Sequence, residues 1–174
     1  MGNALVPGGA REAELSRMMN AYGAQLVGIC TMLLSDAHLA QDAVQETFIR
    51  AYDKMDTLRG ERKHSERAWL TRIAVNICRD HQRSRWFRFV DRRVTLDMLP
   101  DVIAPDNERD QSILLAVQSL PGKYREVVLL HYYQDMDASE IAKALGVSLS
   151  SVYRRLEKAR QLLKTTLERW DFDA

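Results

Sequence analysis

Apolar side chains recur at intervals of three and four along most of this chain, and that period restricts its fold more than any other feature. Leu15, Met18, Met19, Tyr22, Leu26, Ile29 and Leu33 mark a first stretch, from about Arg11 to Leu34. Leu39, Ala43, Val44, Phe48, Ala51 and Tyr52 mark a second, with Ser35 or Asp36 placed to cap it. Trp69, Leu70, Ile73, Ala74, Ile77, Cys78 and His81 mark a third, with Ser65 before it as a cap. A period near 3.6 gathers each set on one face of a helix, whereas strands would need a period of two. Only four prolines and eight glycines interrupt 174 residues. The expected fold is therefore all-α.

The charges divide the chain where the net value of +1 hides it. Between Arg59 and Arg93 eleven basic residues face four acidic ones, while from Asp97 to Ser112 five acids face Arg109 alone. The stretch from about Val94 to Asn107 also holds Pro100 and Pro105 and has no steady period. We expect a disordered tail over 1–10, one helical domain over 11–95, an acidic flexible linker over 96–112 and a second helical domain over 113–174. "DTLRGERKHSER" reads as a loop within the first domain.

Several functions are disfavoured at this level. No run of 18 apolar residues is present, so no membrane-spanning helix is expected. The start "MGNALVPGGA" is too short and too weakly apolar for a secretory signal and lacks the Ser or Thr of a myristoylation motif. Cys30 and Cys78 lie far apart in apolar helical patterns and suit buried, reduced thiols of a cytoplasmic protein; a redox role is the unsupported alternative. His38, His64, His81 and His131 are scattered without metal-ligand spacing. No cofactor, metal or small-molecule substrate is expected, and no clustered acid, base or nucleophile marks an enzyme.

Two features point to nucleic acid. In the third helix Arg72, Asn76, Arg79 and Arg83 share a face, and Trp86, Phe87 and Phe89 interleave with Arg85 and Arg88 beyond it. A basic stripe alone is commonly a solvated face; interleaved aromatics favour a binding surface. The stronger feature is "ASEIAKALGVSLSSVYRRLEKAR" at 138–160. Asp137 or Ala138 opens a short helix with Ile141, Ala142 and Leu145 inward. Gly146 supplies the left-handed turn, Val147 plugs the corner, and Ser148 caps a second helix through the amide near Ser151. Val152, Leu156, Ala159 and Leu163 then form the buried stripe, leaving Ser150, Tyr153, Arg154, Glu157 and Lys158 outward. That is helix-turn-helix chemistry, in which the second helix meets base edges in the major groove. Ser151, Arg155 and Arg160 are better placed for phosphates. A helical hairpin with a solvated basic face is the alternative.

Taken in order, "DAHLAQDAVQETFIRAY", "AWLTRIAVNICRDHQR" and "SLPGKYREVVLLHYYQDMDASEIAKALGVSLSSVYRRLEKARQLL" resemble bacterial RNA polymerase sigma factors of the extracytoplasmic function group, over about residues 11–170. The resemblance implies a subunit that binds core RNA polymerase and recognises the −35 and −10 promoter elements. It helps open the duplex and is not an enzyme. It implies a helix docked on the β′ coiled coil through Asp42, Gln45, Glu46, Phe48 and Arg50, with the β flap as a second contact. It implies a −10-facing helix carrying Arg72, Asn76, Arg79 and Arg83. The preceding loop, here longer and more charged than usual, would capture a flipped base through the stretch Arg62, Lys63, His64, Ser65 and Glu66. The −35 element falls to the second helix-turn-helix helix, and an anti-sigma protein is the implied regulator. The rival reading is a helix-turn-helix regulator that acts without being a polymerase subunit.

Overall fold

The computed structural model describes residues 8–58, 66–84, 96–101 and 104–173, without the side chains of 8, 96 and 170–173. All regular structure among the described residues is helical. Helix α1 spans Gly8–Leu34, α2 Ala37–Asp53, α3 Met55–Leu58 and α4 Glu66–Arg83. A single 3-10 turn follows at Leu96–Met98. Then come α5 at Glu108–Ser119, α6 at Gly122–Val128 continuing as a π-helical segment Leu129–Tyr133, α7 at Ala138–Leu145, and α8 at Leu149–Asp173. No described helix is long and apolar enough to cross a membrane.

Helices α1, α2 and α4 pack as a three-helix bundle whose core holds Leu26, Ile29, Cys30, Ala43, Val44, Phe48, Leu70, Ala74 and Ile77. The i, i+3, i+4 stripes of each helix meet there, as their spacing required. Asp36 is the cap of α2, its side chain accepting from the Leu39 amide at 2.9 Å. In the C-terminal half, α8 is the central strut, touched by α5, α6 and α7. Val152, Leu156 and Ala159 line its buried side.

Three expectations are revised. The first helix begins at Gly8, inside the stretch expected to be tail, and residues 1–7 lie outside the described part. The loop after α2 opens with a helical turn, α3, whose Met55 is buried. The boundary expected at 112 falls inside a helix: α5 starts at Glu108, directly after the aperiodic stretch 94–107, where Asn107 caps it by accepting from the Asp110 amide at 3.0 Å. An Asn cap with two acids in the first turn favours helix, and that local chemistry outweighs the polarity that suggested a tether. Leu99 of the linker is buried in the core.

The two halves do not stand apart. Their buried side chains join one continuous cluster, and the closest approach is that of α4 to α7. Cys30 on α1 and Cys78 on α4 are both buried, free and in thiol–thiol contact. That hydrogen bond, with burial, pushes the Cys78 thiol well above its ordinary range, so it stays protonated and poorly reactive.

Candidate nucleic-acid and polymerase interfaces

The segment read as a helix-turn-helix forms two helices, α7 and α8, joined by a short turn. Asp137 and Glu140 form a reciprocal capping box at the start of α7, with bonds of 2.8 and 2.9 Å. Gly146 closes α7 in the left-handed region at φ 64°, and its amide bonds to the Ala142 carbonyl. Ser148 Oγ accepts from the Ser151 amide at 3.2 Å, opening α8. Val147 is half-buried against the core at the corner.

On α8, Ser150, Tyr153, Arg154, Glu157, Lys158 and Arg160 are exposed, while Ser151 and Arg155 are half-buried. Arg154 donates to Ser151 Oγ at 3.2 Å, which holds its guanidinium near the helix start. Arg160 donates to the Tyr132 hydroxyl at 3.1 Å and lies 3.9 Å from Glu157, so it is steered toward the π-helical segment. Beside this face is a cleft of about 350 Å³ lined by Lys123, Tyr124, Ser151, Arg154, Arg155 and Lys158. Lys123 and Tyr124 come from the first turn of α6, with the Lys123 ammonium 5.0 Å from the Tyr124 ring centre. Sequence reasoning missed both, because they lie far from α8 along the chain and only the packing of α6 on α8 brings them to the same cleft. Four cations around one concavity suit a phosphate, which gains charge-assisted bonds there.

On α4, Arg72, Asn76 and Arg83 are exposed, as their shared face predicted. Arg79 is corrected: only 25% of its side chain is exposed, and its Nη1 donates to the Leu145 carbonyl at 2.7 Å. Its Nη2 and Nε face the Glu126 carboxylate at 3.3 and 3.4 Å. The physical reason is the approach of α7 and α6 to this side of α4, which a single-helix projection cannot register. Glu66 is corrected as well. It is the first residue of α4 rather than a loop residue, is 8% exposed, and receives two bonds of 2.7 and 2.8 Å from Arg17 on α1. A carboxylate there is favoured by the helix N-terminus and by the cation. Arg17 also bonds Glu14, and the two carboxylates hold its guanidinium firmly in the charged form. Arg62, Lys63, His64 and Ser65, and the basic aromatic stretch around Trp86, lie outside the described residues.

On α2, Asp42 and Gln45 are exposed, and Glu46 and Arg50 are half-buried and paired with each other. Phe48, placed on the buried stripe by its spacing and on the docking face by the resemblance, is 5% exposed and points inward toward Gly23 of α1. The apolar residue that this face does present is Ile49, 63% exposed. Its signal was available, since Ile49 lies off the buried stripe of Ala40, Ala43, Val44, Thr47, Phe48 and Ala51 and one turn beyond Gln45.

Comparison with known proteins agrees with both halves. The family described as Sigma-70 region 2 matches residues 18–88, and that described as Sigma-70, region 4 matches residues 110–163. The ECF RNA polymerase sigma factor SigW of Bacillus subtilis is 30% identical over 86% of this chain and 87% of its own. The ECF RNA polymerase sigma factor SigL of Mycobacterium tuberculosis is 32% identical over 91% of this chain and 92% of its own. Among solved structures, CnrH in complex with the cytosolic domain of CnrY superimposes with a TM-score of 0.64 at 25% identity, over 91% of this chain and 90% of that one. The sigma factor RpoE of Bartonella quintana, solved with the anti-sigma factor NepR, shares the fold with a TM-score of 0.70 at 22% identity, over 90% of this chain and 96% of that one. The region 2 match accounts for the N-terminal half, which a free-standing helix-turn-helix regulator would leave without a role. The chain belongs to the extracytoplasmic function group of the sigma-70 family, the alternative sigma factors that direct transcription initiation by RNA polymerase.

Proposed function

We propose that this sigma factor reads the −35 element with α8 and holds the −10 strand with α4, each half acting as a separate binding unit. The observation that carries this reading is the exposed face of Ser150, Tyr153, Arg154, Glu157 and Lys158 beside the basic cleft of Lys123, Arg155 and Lys158. Arg154 and Lys158 suit guanine edges, Glu157 suits a cytosine amine, and each good bidentate contact is worth about 1–3 kcal/mol of discrimination. The cleft takes a flanking phosphate, which positions the helix without reading sequence.

In the N-terminal half, exposed Arg72, Asn76 and Arg83 are the groups proposed to meet the −10 region. Base capture belongs to the loop of Arg62, Lys63, His64 and Ser65, where the energy of binding has to offset an unstacking cost of a few kcal/mol. Core polymerase is proposed to dock on α2 through Asp42, Gln45, Glu46, Ile49 and Arg50, with the β′ coiled coil as its counterpart and the β flap meeting the C-terminal half. The protein would work by binding alone, in the cytoplasm, under the control of an anti-sigma protein. Support for that last partner is the anti-sigma complex in which the Bartonella relative was solved.

The test is transcription in vitro, with this protein added to sigma-free core polymerase on a pool of genomic fragments. Specific transcripts sharing two upstream elements are expected. Sequence-specific DNA binding without any transcript would overturn the reading.

A further inference from the structure

Among the five outward residues Ser150, Tyr153, Arg154, Glu157 and Lys158, Glu157 is the single acid. Whether it can accept from a base depends on what else its carboxylate holds. Gln161, one turn on, donates to Oε1 at 3.4 Å, and Arg160 Nη1 lies 3.9 Å from Oε2. Both contacts are long. A closed arginine–carboxylate pair sits at about 2.7–2.9 Å and is commonly bidentate, so Arg160 stops short of one. At a spacing of three residues on one helix nothing in α8 itself prevents closure.

What holds Arg160 back comes from outside the helix. Its Nε donates to the Tyr132 hydroxyl at 3.1 Å. Tyr132 is 53% exposed, so its place in the structure is not explained by burial. Its ring is nonetheless fixed, edge-on to His131 with centres 4.7 Å apart and planes at 78°. His131 in turn donates from Nδ1 to the Met136 carbonyl at 3.0 Å, which ties the pair to the segment entering α7. Both residues belong to the π-helical segment Leu129–Tyr133. A π-helical turn closes its bonds over five residues, so Tyr132 leaves at an angle that an α-helical continuation of α6 would not give it.

We propose that Tyr132 is a positioning residue for −35 specificity: its hydroxyl holds Arg160 away from Glu157 and leaves that carboxylate open to a cytosine amine. The inference rests on the reading of α8 given above and deepens it. Without the hydroxyl, Arg160 is released to close on Glu157 and fill its acceptor positions. The residue that reads the base is then neutralised by its own neighbour, although neither has been changed.

The experiment binds the free full-length chain to a randomised duplex library and sequences the bound fraction, which gives a base preference at every position. Tyr132→Phe removes one oxygen from an exposed ring and should unfold at the wild-type temperature. Its preference for cytosine at the position read by Glu157 is expected to fall about two- to fivefold, the strength of one exposed ion pair. Preferences at the other positions should stay as they are. Arg160→Ala removes the competing cation, so adding it to Tyr132→Phe should restore the cytosine preference, a non-additivity that a packing role for Tyr132 would not produce. Glu157→Ala should abolish the preference and make Tyr132→Phe silent there.

An unchanged cytosine preference in Tyr132→Phe would overturn the proposal. So would a loss spread evenly over all sequences, which would make Tyr132 a backbone contact, or a loss that Arg160→Ala does not restore. If Glu157→Ala alters no position, the reading of Glu157 on α8 fails first and the proposal fails with it. No polymerase enters the assay, so its result is separate from that of transcription in vitro.

Discussion

A single arginine shows how far a side chain's role depends on what faces it. Arg72, Asn76 and Arg83 share a helix face with Arg79, yet only Arg79 is drawn into the protein, by Glu126 and the Leu145 carbonyl. Arg17 and Glu66 behave similarly: a charge pair binds α4 to α1 and engages the Glu66 carboxylate within the protein. On α8 the opposite holds, because Arg154 and Lys158 have no acidic partner among the hydrogen bonds and ion pairs of that face and remain directed outward. We therefore expect Lys158→Ala or Arg154→Ala to weaken binding of the cognate −35 duplex by about 1–3 kcal/mol, roughly 5- to 150-fold. Binding to scrambled duplex should change much less. Equal losses on both duplexes, measured by anisotropy at fixed salt, would reassign these residues to phosphate contacts.

At the scale of the element, local chemistry sets where each helix starts and stops. The turn between α7 and α8 depends on Gly146 at φ 64°. No atom lies within 4 Å of an added Cβ there, so Gly146→Ala costs only backbone strain. We predict a loss of about 1–2 kcal/mol in urea unfolding, with an unchanged slope. A loss near zero would mean that the turn relaxes to another geometry. Helix α2 shows the other kind of element-level information. Its buried stripe determines which residues remain outside, and Ile49 falls among them beside Asp42 and Gln45. Exposed apolar groups framed by polar ones mark docking surfaces. Ile49→Glu should leave thermal stability within about 0.5 kcal/mol of wild type, as befits a surface site. It should also weaken core polymerase binding at least tenfold in a pull-down titration. Unchanged polymerase affinity would move the docking face off α2.

For the whole molecule, the decisive fact is that one core runs through both halves, with Leu99 of the linker buried in it. A continuous core couples the halves energetically, so thermal unfolding of the free chain should be one transition with equal calorimetric and van't Hoff enthalpies. Two separated transitions would show that the halves fold independently and that their contact adds little. Five polar pairs also link the halves, Gln25–Tyr133, Arg79–Leu145, Arg79–Glu126, Gln118–Ser35 and Arg67–Asp135, beside buried unpaired amides of Gln118 and Gln134.

The helical class, the helix-turn-helix with its glycine turn and serine cap, and the basic outward face of α8 were legible in the residues themselves. Each depends on interactions within a few positions along the chain: a stripe at period 3.6, a cap three residues from its amide, a left-handed glycine. The start of α5 was equally local, in the Asn107 cap, but the acids around it read more readily as a tether. What the sequence could not determine was decided across the fold. Lys123 and Tyr124 joined the α8 cleft, and Arg79 met Glu126, because helices distant in sequence packed together. Helical periodicity tells which face is buried without saying against what. The partner of a long, flexible, charged side chain depends on the few ångströms by which two helices approach, and only the tertiary structure sets that distance.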